Sequence, residues 1–300
     1  MGRNVITIGD LLKKGRTYLK RHRTFNRGLI TELLLAHLLK TERTFLYEHR
    51  ENILSLRQVL SYYRLLNKFL EKIPVAYLLG KQEFMSLPFS VDRNTLIPRA
   101  ETETLVEEVL KLMNQEKLLQ KSEELYVLDI GTGCGNIAVS VAKLSPNKNI
   151  RVFASDISKN ALKIAQQNAR LNKVDHLITF CPGSLFEAFK RYRLTGKVDF
   201  ILSNPPYIPD KDFSRLPLSV KKYEPKIALY AGKKGTHFQE AIIKEAPYYL
   251  KKHGYLLFEI GHKQHPEIYN IIKHSPLFSN IRILPDCNNI PRVFCARFNT

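Results

Sequence analysis

Two consecutive prolines, Pro205 and Pro206, stand just behind the mostly apolar run Val198-Asp199-Phe200-Ile201-Leu202, and no other feature restricts the fold of this chain as much. The run has the length and character of a strand buried in a parallel sheet. Proline has a fixed φ and no N–H, so the strand stops here and the chain leaves the sheet in one rigid shape. In open α/β sheets this is where ligands bind, beyond the carboxyl ends of the strands. The residues at that place are Asn204-Pro205-Pro206-Tyr207. Asn204 offers a carbonyl acceptor and an NH2 donor, the carbonyls beside the prolines are free acceptors, and Tyr207 supplies a flat ring. Such a pocket suits a planar –NH2 group whose two hydrogens meet the Asn204 and Pro205 carbonyls while its face lies on the Tyr207 ring.

The surrounding sequence alternates strand and helix. The periodicity predicts strands at Tyr126–Ile130, Ile150–Ser155, Leu177–Cys181, Val198–Ser203, Tyr255–Ile260, Ile281–Leu284 and Val293–Phe298. Helices are expected at Asn136–Leu144, Ser158–Asn172, Thr236–Leu250 and Pro266–His274. That order predicts a doubly wound, mostly parallel sheet of seven strands. The last two strands are joined too closely for a parallel crossover and should pair antiparallel.

The first of these strands runs through Asp129 into Gly131-Thr132-Gly133-Cys134-Gly135 and then a helix. Glycines let the backbone approach a ligand, and the helix start offers free N–H groups. A dinucleotide fingerprint needs its third glycine at position 136, where this chain has Asn136; the glycine comes one residue early. The turn fits S-adenosylmethionine (SAM) better than NAD. Asp156 ends the next strand, where an acid can accept both ribose hydroxyls; its competing reading is a helix N-cap. Asp129 is expected to orient the loop or the methionine amino group. Ser184-Leu185-Phe186, after the third strand, is placed to border the adenine.

Upstream, residues 1–73 read as a small helical bundle. Leu29, Ile30, Leu33, Leu34, Leu38 and Leu39 recur at helical spacing, as do Leu56, Val59, Leu60, Tyr63, Leu66 and Leu70, and Asp10 is placed to cap the first helix. Residues 74–99 read as a hairpin or extended linker, and residues 100–300 as the α/β domain, opening on a helix near Ala100 with Glu101 and Glu103 in its first turn. The chain carries a net charge of +19, and residues 1–73 hold 15 Lys or Arg against 6 Asp or Glu. Such a surface fits nucleic acid, a ribosome-associated partner or an acidic protein. No apolar stretch is long enough to span a membrane, and residues 1–14 lack a signal-peptide core, so a cytoplasmic protein is expected. Four scattered cysteines without a Cys-x-x-Cys pair, and His262 with His265 in a loop, give no metal site.

With these residues in view the chain resembles the HemK/PrmC family, the release-factor glutamine N5-methyltransferases. The resemblance rests on Pro74–Gly80 with Glu83-Phe84, on Leu96–Glu103, on the glycine turn, on Asn204–Tyr207, and on Tyr223-Glu224-Pro225 with Ala228-Leu229. It implies a class I SAM-dependent methyltransferase fold with an N-terminal helical bundle and a linking hairpin. It implies methyl transfer from SAM, giving S-adenosylhomocysteine without a metal, to the side-chain amide of the Gln in the Gly-Gly-Gln loop of class I peptide chain release factors. The bundle and hairpin would help to hold that protein. Asn204 and the Pro205 carbonyl would grip the amide, Pro206 would complete the pocket and Tyr207 would pack on it. Gly131, Thr132, Gly133, Cys134, Gly135, Asp156, Leu185 and Asn204 would contact SAM. The chain departs from the family where Ala100 replaces a second proline, where Ser184-Leu185 replaces an acidic–aromatic pair, and where Asn289 takes the glycine position in Asp286–Arg292. Asn tolerates the left-handed conformation a glycine would supply, so that turn is expected to survive. The competing readings are an adenine-N6 or guanine-N2 methyltransferase of RNA or DNA, which uses the same tetrapeptide, and a non-catalytic scaffold. Nucleic acid is the less favoured partner, because no stacking groove or binding module is visible.

Overall fold

The computed structural model describes residues 5–115, 124–273 and 275–299. The chain divides into two compact units, Met1–Gly80 with Leu218–Tyr223, and Lys81–Pro217 with Glu224–Thr300.

The first unit is helical: α1 (Ile8–Arg21), α2 (Arg27–Leu39), α3 (Arg43–Glu48), α4 (Leu56–Leu70) and α5 (Val75–Leu79). Thr7, not Asp10, caps α1. Its hydroxyl accepts from the Asp10 amide at 3.2 Å, and the Asp10 carboxylate accepts from the Thr7 amide in return, which makes a reciprocal capping box. The expected stripes hold in part: Ile30 and Leu34 on α2 and Val59 and Leu66 on α4 are buried, with departures at their edges. Leu29 on α2 is exposed while Leu35 is buried, and on α4 Leu56 and Leu60 are exposed while Val59, Tyr62 and Leu66 are buried. The cause is Tyr62. Its ring fills the space over Gly15 and its hydroxyl donates to the Thr31 carbonyl at 3.3 Å, so it takes the core place expected of Tyr63. Val75–Leu79 is one helical turn rather than extended linker, and Gly80 closes it at φ +68°.

The second unit opens with a hairpin, β1 (Lys81–Phe84) and β2 (Leu87–Ser90), turned at Met85 and Ser86 with φ of +51° and +58°. Phe84 and Phe89 meet edge to face and join the core. A short 3-10 turn, Ala100–Thr102, leads into α6 (Glu103–Gln115). The alternating part follows: β3 (Leu125–Ile130), α7 (Asn136–Leu144), β4 (Ile150–Asp156), α8 (Lys159–Leu171), β5 (Ile178–Pro182), β6 (Val198–Ser203), α9 (Asp210–Phe213), α10 (Leu218–Tyr223, within the first unit), α11 (His237–Tyr249), β7 (Leu250–Glu259), α12 (His265–Ile272), β8 (Phe278–Pro285) and β9 (Pro291–Phe298). The expected helix at Pro266–His274 runs up to His274, which lies outside the described residues.

The sheet order is β5-β4-β3-β6-β7-β9-β8. Only the pairs of β9 with β7 and with β8 are antiparallel, as the short link before β9 predicts. Two apolar cores fill the two faces, one around Val127, Val152 and Phe200, the other around Leu128, Ile201 and Phe258. The hairpin is tied to α8 by side chains: Asn168 accepts from the Ser90 amide at 2.7 Å and donates to its carbonyl at 3.0 Å, and Asn172 donates to the Pro88 carbonyl. Among the described residues no helix is long and apolar enough to cross a membrane.

The close approach of Gly15 to Tyr62 gives a test of the bundle. A Cβ at Gly15 would lie 2.3 Å from the Tyr62 hydroxyl. Gly15→Ala gains about 1 kcal/mol of helix propensity and loses roughly 1–3 kcal/mol to overpacking. The net expectation in chemical denaturation is a destabilised bundle, with part of the loss recovered in the Gly15→Ala, Tyr62→Phe double variant. A single variant more stable than the parent contradicts this packing.

Candidate active site

Parallel register gathers the site. Ile130 at the end of β3 pairs with Ser155 of β4 and Ser203 of β6, and Ser203 pairs with Phe258 of β7. The next residue in each strand direction is Gly131, Asp156, Asn204 and Glu259, so all four leave the sheet along one edge.

The glycine turn holds Gly131 at φ +73° and Gly133 at φ +56°, a conformation that favours glycine, and a Cβ on either would meet no atom within 4 Å. Their free faces are walls of a cavity lined also by Thr132, Cys134, Asp156, Leu185, Asn204, Pro205 and Pro206. Gly135 does not line it. A Cβ there would come within 3.1 Å of Ala165, so this glycine lets α8 close against the turn. Ser184 lines the cavity beside Leu185, whereas Phe186 is buried in the core and stacks on Tyr249 at 4.9 Å.

Asp156 does not cap α8; the Ser158 hydroxyl does, accepting from the Ala161 amide at 3.2 Å. The Asp156 carboxylate accepts from the Gly133 amide at 2.9 Å and the Ser158 amide at 2.8 Å. Burial raises its pKa, and these two amides pull it back. Each oxygen keeps a further lone pair on the cavity wall. Asp129 is fully buried. Its Oδ2 accepts from the Thr132 hydroxyl at 2.6 Å and the Ala138 amide at 3.1 Å, which pins the turn to the helix start, while Oδ1 has no partner among the described residues.

At the end of β6 the Asn204 carboxamide donates through Nδ2 to the Thr102 hydroxyl at 3.1 Å. Among the described residues no hydrogen bond reaches Asn204 Oδ1 or the Pro205 carbonyl. Tyr207 does not line the cavity. Its hydroxyl donates to Glu259 at 2.9 Å, and burial, with the Glu259 charge, raises its pKa well above that of an ordinary phenol. Gln264 holds the loop from behind, donating to the carbonyls of Tyr207 at 2.9 Å and Gly235 at 3.1 Å.

Four residues of this neighbourhood lie outside the sequence-level site. Thr102 donates to Glu259 at 2.6 Å. The Glu224 carboxylate accepts from Arg99 at 2.5 Å and from the Ile97 amide at 3.2 Å, so it clamps Ile97-Pro98-Arg99 against Glu224-Pro225, and both segments line the cavity. Thr102, Arg99 and Glu224 sat inside segments that carried the family resemblance. Glu259 ends an apolar strand, as Asp156 ends its own and Asp129 stands one residue before the end of its own, and that repeated acid was the available signal. The Asp286 turn survives its missing glycine: Asn289 sits at φ +58°, and Asp286 accepts from the Asn288 and Ile290 amides and from Arg292.

This strand order, with its glycine turn opening on a cavity at the strand ends, defines the class I fold of SAM-dependent methyltransferases. A family model for the Methyltransferase small domain matches residues 111–216, and one for the PrmC N-terminal domain matches residues 10–80. The release factor glutamine methyltransferase of Bacillus anthracis is 33% identical over 290 residues, covering 96% of this chain and 98% of its own. That of Aquifex aeolicus is 31% identical over 294 residues, covering 98% and 96%. Among solved structures the hMettl16 catalytic domain, crystallised with an RNA hairpin, aligns with a TM-score of 0.56 over 75% of this chain and 81% of its own. Its 15% identity makes that a likeness of fold. The chain belongs to the family of release factor glutamine methyltransferases.

Asp129 yields a test of the turn. Burial raises its pKa from 3.8 to about 7, against the hydrogen bonds from Thr132 and Ala138. Between those values the folded chain keeps a proton that the unfolded chain has released. The group's contribution therefore favours folding at low pH and is lost as pH rises to about 7. Asp129→Asn removes the titration. The stability of the parent relative to this variant, from urea unfolding, should fall across that window and level off above it; a flat difference contradicts the burial of Asp129.

Proposed function

We propose that this chain transfers a methyl group from SAM to the side-chain amide nitrogen of the Gln in the Gly-Gly-Gln loop of class I peptide chain release factors. The observation that carries the reading is Asn204. Its Oδ1 and the Pro205 carbonyl stand unengaged by described residues on the wall of the cavity that the glycine turn opens. The names of the relatives, and their near full-length match, support the same substrate.

The residues present fit SAM. The open faces of Gly131 and Gly133 leave room beside the backbone, and Asp156 keeps acceptor capacity for a ribose diol. Leu185 and Ile157 give an apolar border for a base. Bound SAM supplies an electrophilic methyl group and leaves as S-adenosylhomocysteine. The rest is positioning. An amide nitrogen is a poor nucleophile because its lone pair is delocalised into the carbonyl. Asn204 Oδ1 and the Pro205 carbonyl accept its two hydrogens and aim the nitrogen in line with the methyl. The prolines fix the backbone carbonyl and the bond from Asn204 Nδ2 to Thr102 holds the carboxamide, so no reorganisation is needed. Alignment of this kind supplies on the order of 7–11 kcal/mol at best. The nitrogen grows acidic as the new bond forms, so its proton passes to solvent without a strong base. With its hydroxyl on Glu259, Tyr207 supports the loop off the cavity wall and keeps its phenol proton. We assign residues 1–73 and the hairpin segment 74–99 to docking the protein substrate, and residues 100–300 to catalysis. A substrate of the translation machinery places the enzyme in the cytoplasm.

Asn204→Ala tests the reading. With release factor as acceptor, the single-turnover rate should fall by at least about a hundredfold, the scale of one lost preorganised polar contact, while SAM affinity changes less. A near-normal rate in that variant contradicts the role of Asn204.

A further inference from the structure

We propose that Glu259 and Thr102 are positioning residues that decide which way the Asn204 carboxamide faces. The inference rests on the reading of Asn204 as the acceptor for the substrate amide. The two ends of a carboxamide are almost equal in size, and shape alone does not choose between them. Hydrogen-bond direction does.

The Glu259 carboxylate is 1% exposed. It lies between two hydroxyls, Thr102 Oγ1 at 2.6 Å and Tyr207 Oη at 2.9 Å. Burial raises its pKa above the usual carboxylate value; the two hydroxyl bonds and the nearby Arg292 pull it back, and Glu101 adds to the rise. Each carboxyl oxygen accepts from one hydroxyl, Oε2 from Thr102 and Oε1 from Tyr207, and an ionised carboxylate offers no proton in return. Tyr207 holds its proton, since burial and the Glu259 charge raise its pKa. Thr102 has a single proton and spends it on Glu259, which leaves lone pairs at Oγ1. The Asn204 atom 3.1 Å away must then be the donor Nδ2. Oδ1 is left for the cavity. The reversed carboxamide would set two acceptors against each other at Thr102 and turn an NH2 toward a substrate NH2. Glu259 thus passes its acceptor character through one hydroxyl to Asn204. Arg292, held by Asp286 at 3.1 Å, supports the charge at the far end.

The test uses the full chain with SAM and release factor. Thr102→Val keeps the volume and removes the hydroxyl, Thr102→Ser keeps the hydroxyl, and Glu259→Gln keeps the shape but adds a donor. Thr102→Val and Glu259→Gln should each cut the single-turnover rate at saturating substrates by at least about tenfold, the scale of one misdirected polar contact. SAM affinity should stay within about threefold, and Thr102→Ser should retain most of the rate. A Thr102→Val protein at parental rate overturns the relay, as does a Thr102→Ser protein that falls as far as Thr102→Val. If Thr102→Val does not fold, Glu259→Gln decides, and a parental rate there overturns the relay. An inactive Asn204→Ala beside a fully active Thr102→Val removes the relay and leaves the role of Asn204 standing; an active Asn204→Ala removes both.

Discussion

Parallel pairing in register is the constraint from which the site follows. Because β3, β4, β6 and β7 run the same way and end together, three carboxylates and one carboxamide come side by side without any loop having to bring them there. Asp129 and Asp156 organise the glycine turn, one from beneath and one from the rim. Asn204 and Glu259 end the neighbouring pair of strands. A one-residue slip in either pairing would send these side chains to the opposite face. The apolar interior of β3, β6 and β7, packed on both sides, makes such a slip prohibitively costly, so core packing fixes the geometry of the chemistry.

The polar groups at this edge are held by one another. Glu259 takes the hydroxyls of Thr102 and Tyr207, and Glu224 takes Arg99 and a backbone amide. Removing one partner from such an arrangement leaves a buried charge uncompensated, which is why buried pairs are costly to break even where their net contribution to stability is small. The same arrangement leaves Asn204 Oδ1 and the Pro205 carbonyl as acceptors at the cavity wall, rigid before any substrate arrives.

Much of this was legible in the sequence. The seven strands and the antiparallel last pair follow from period, length and short links; residues 74–99 read only as a hairpin or extended linker, because the turn at Met85 and Ser86 carries no glycine or proline to mark it. Asn289 replacing a glycine was readable as a left-handed turn because that preference is local. The edges of the bundle stripes were not. Whether Tyr62 or Tyr63 faces inward depends on the gap above Gly15 and on the Thr31 carbonyl, both distant in sequence. The cap of α1 was misplaced by three residues because Thr7 and Asp10 exchange bonds and either alone looks like a cap. Of the cavity lining, Gly131 to Cys134, Asp156 and Asn204 were legible. The positions of Gly135 and Tyr207 off the cavity wall were not, since they depend on Ala165 in α8 and on Glu259 at the end of β7. Thr102 and Glu259 are 157 residues apart, and nothing local announces their bond.

The basic surface leaves nucleic acid as the rival acceptor, and one measurement separates the two directly. Labelled SAM is offered with purified release factor and with total RNA in separate reactions, and any labelled protein is mapped by peptide mass. The account predicts label on the glutamine of the Gly-Gly-Gln loop, lost when that glutamine is replaced. Label on RNA alone would contradict it, and would mean that Asn204 and the prolines hold a base.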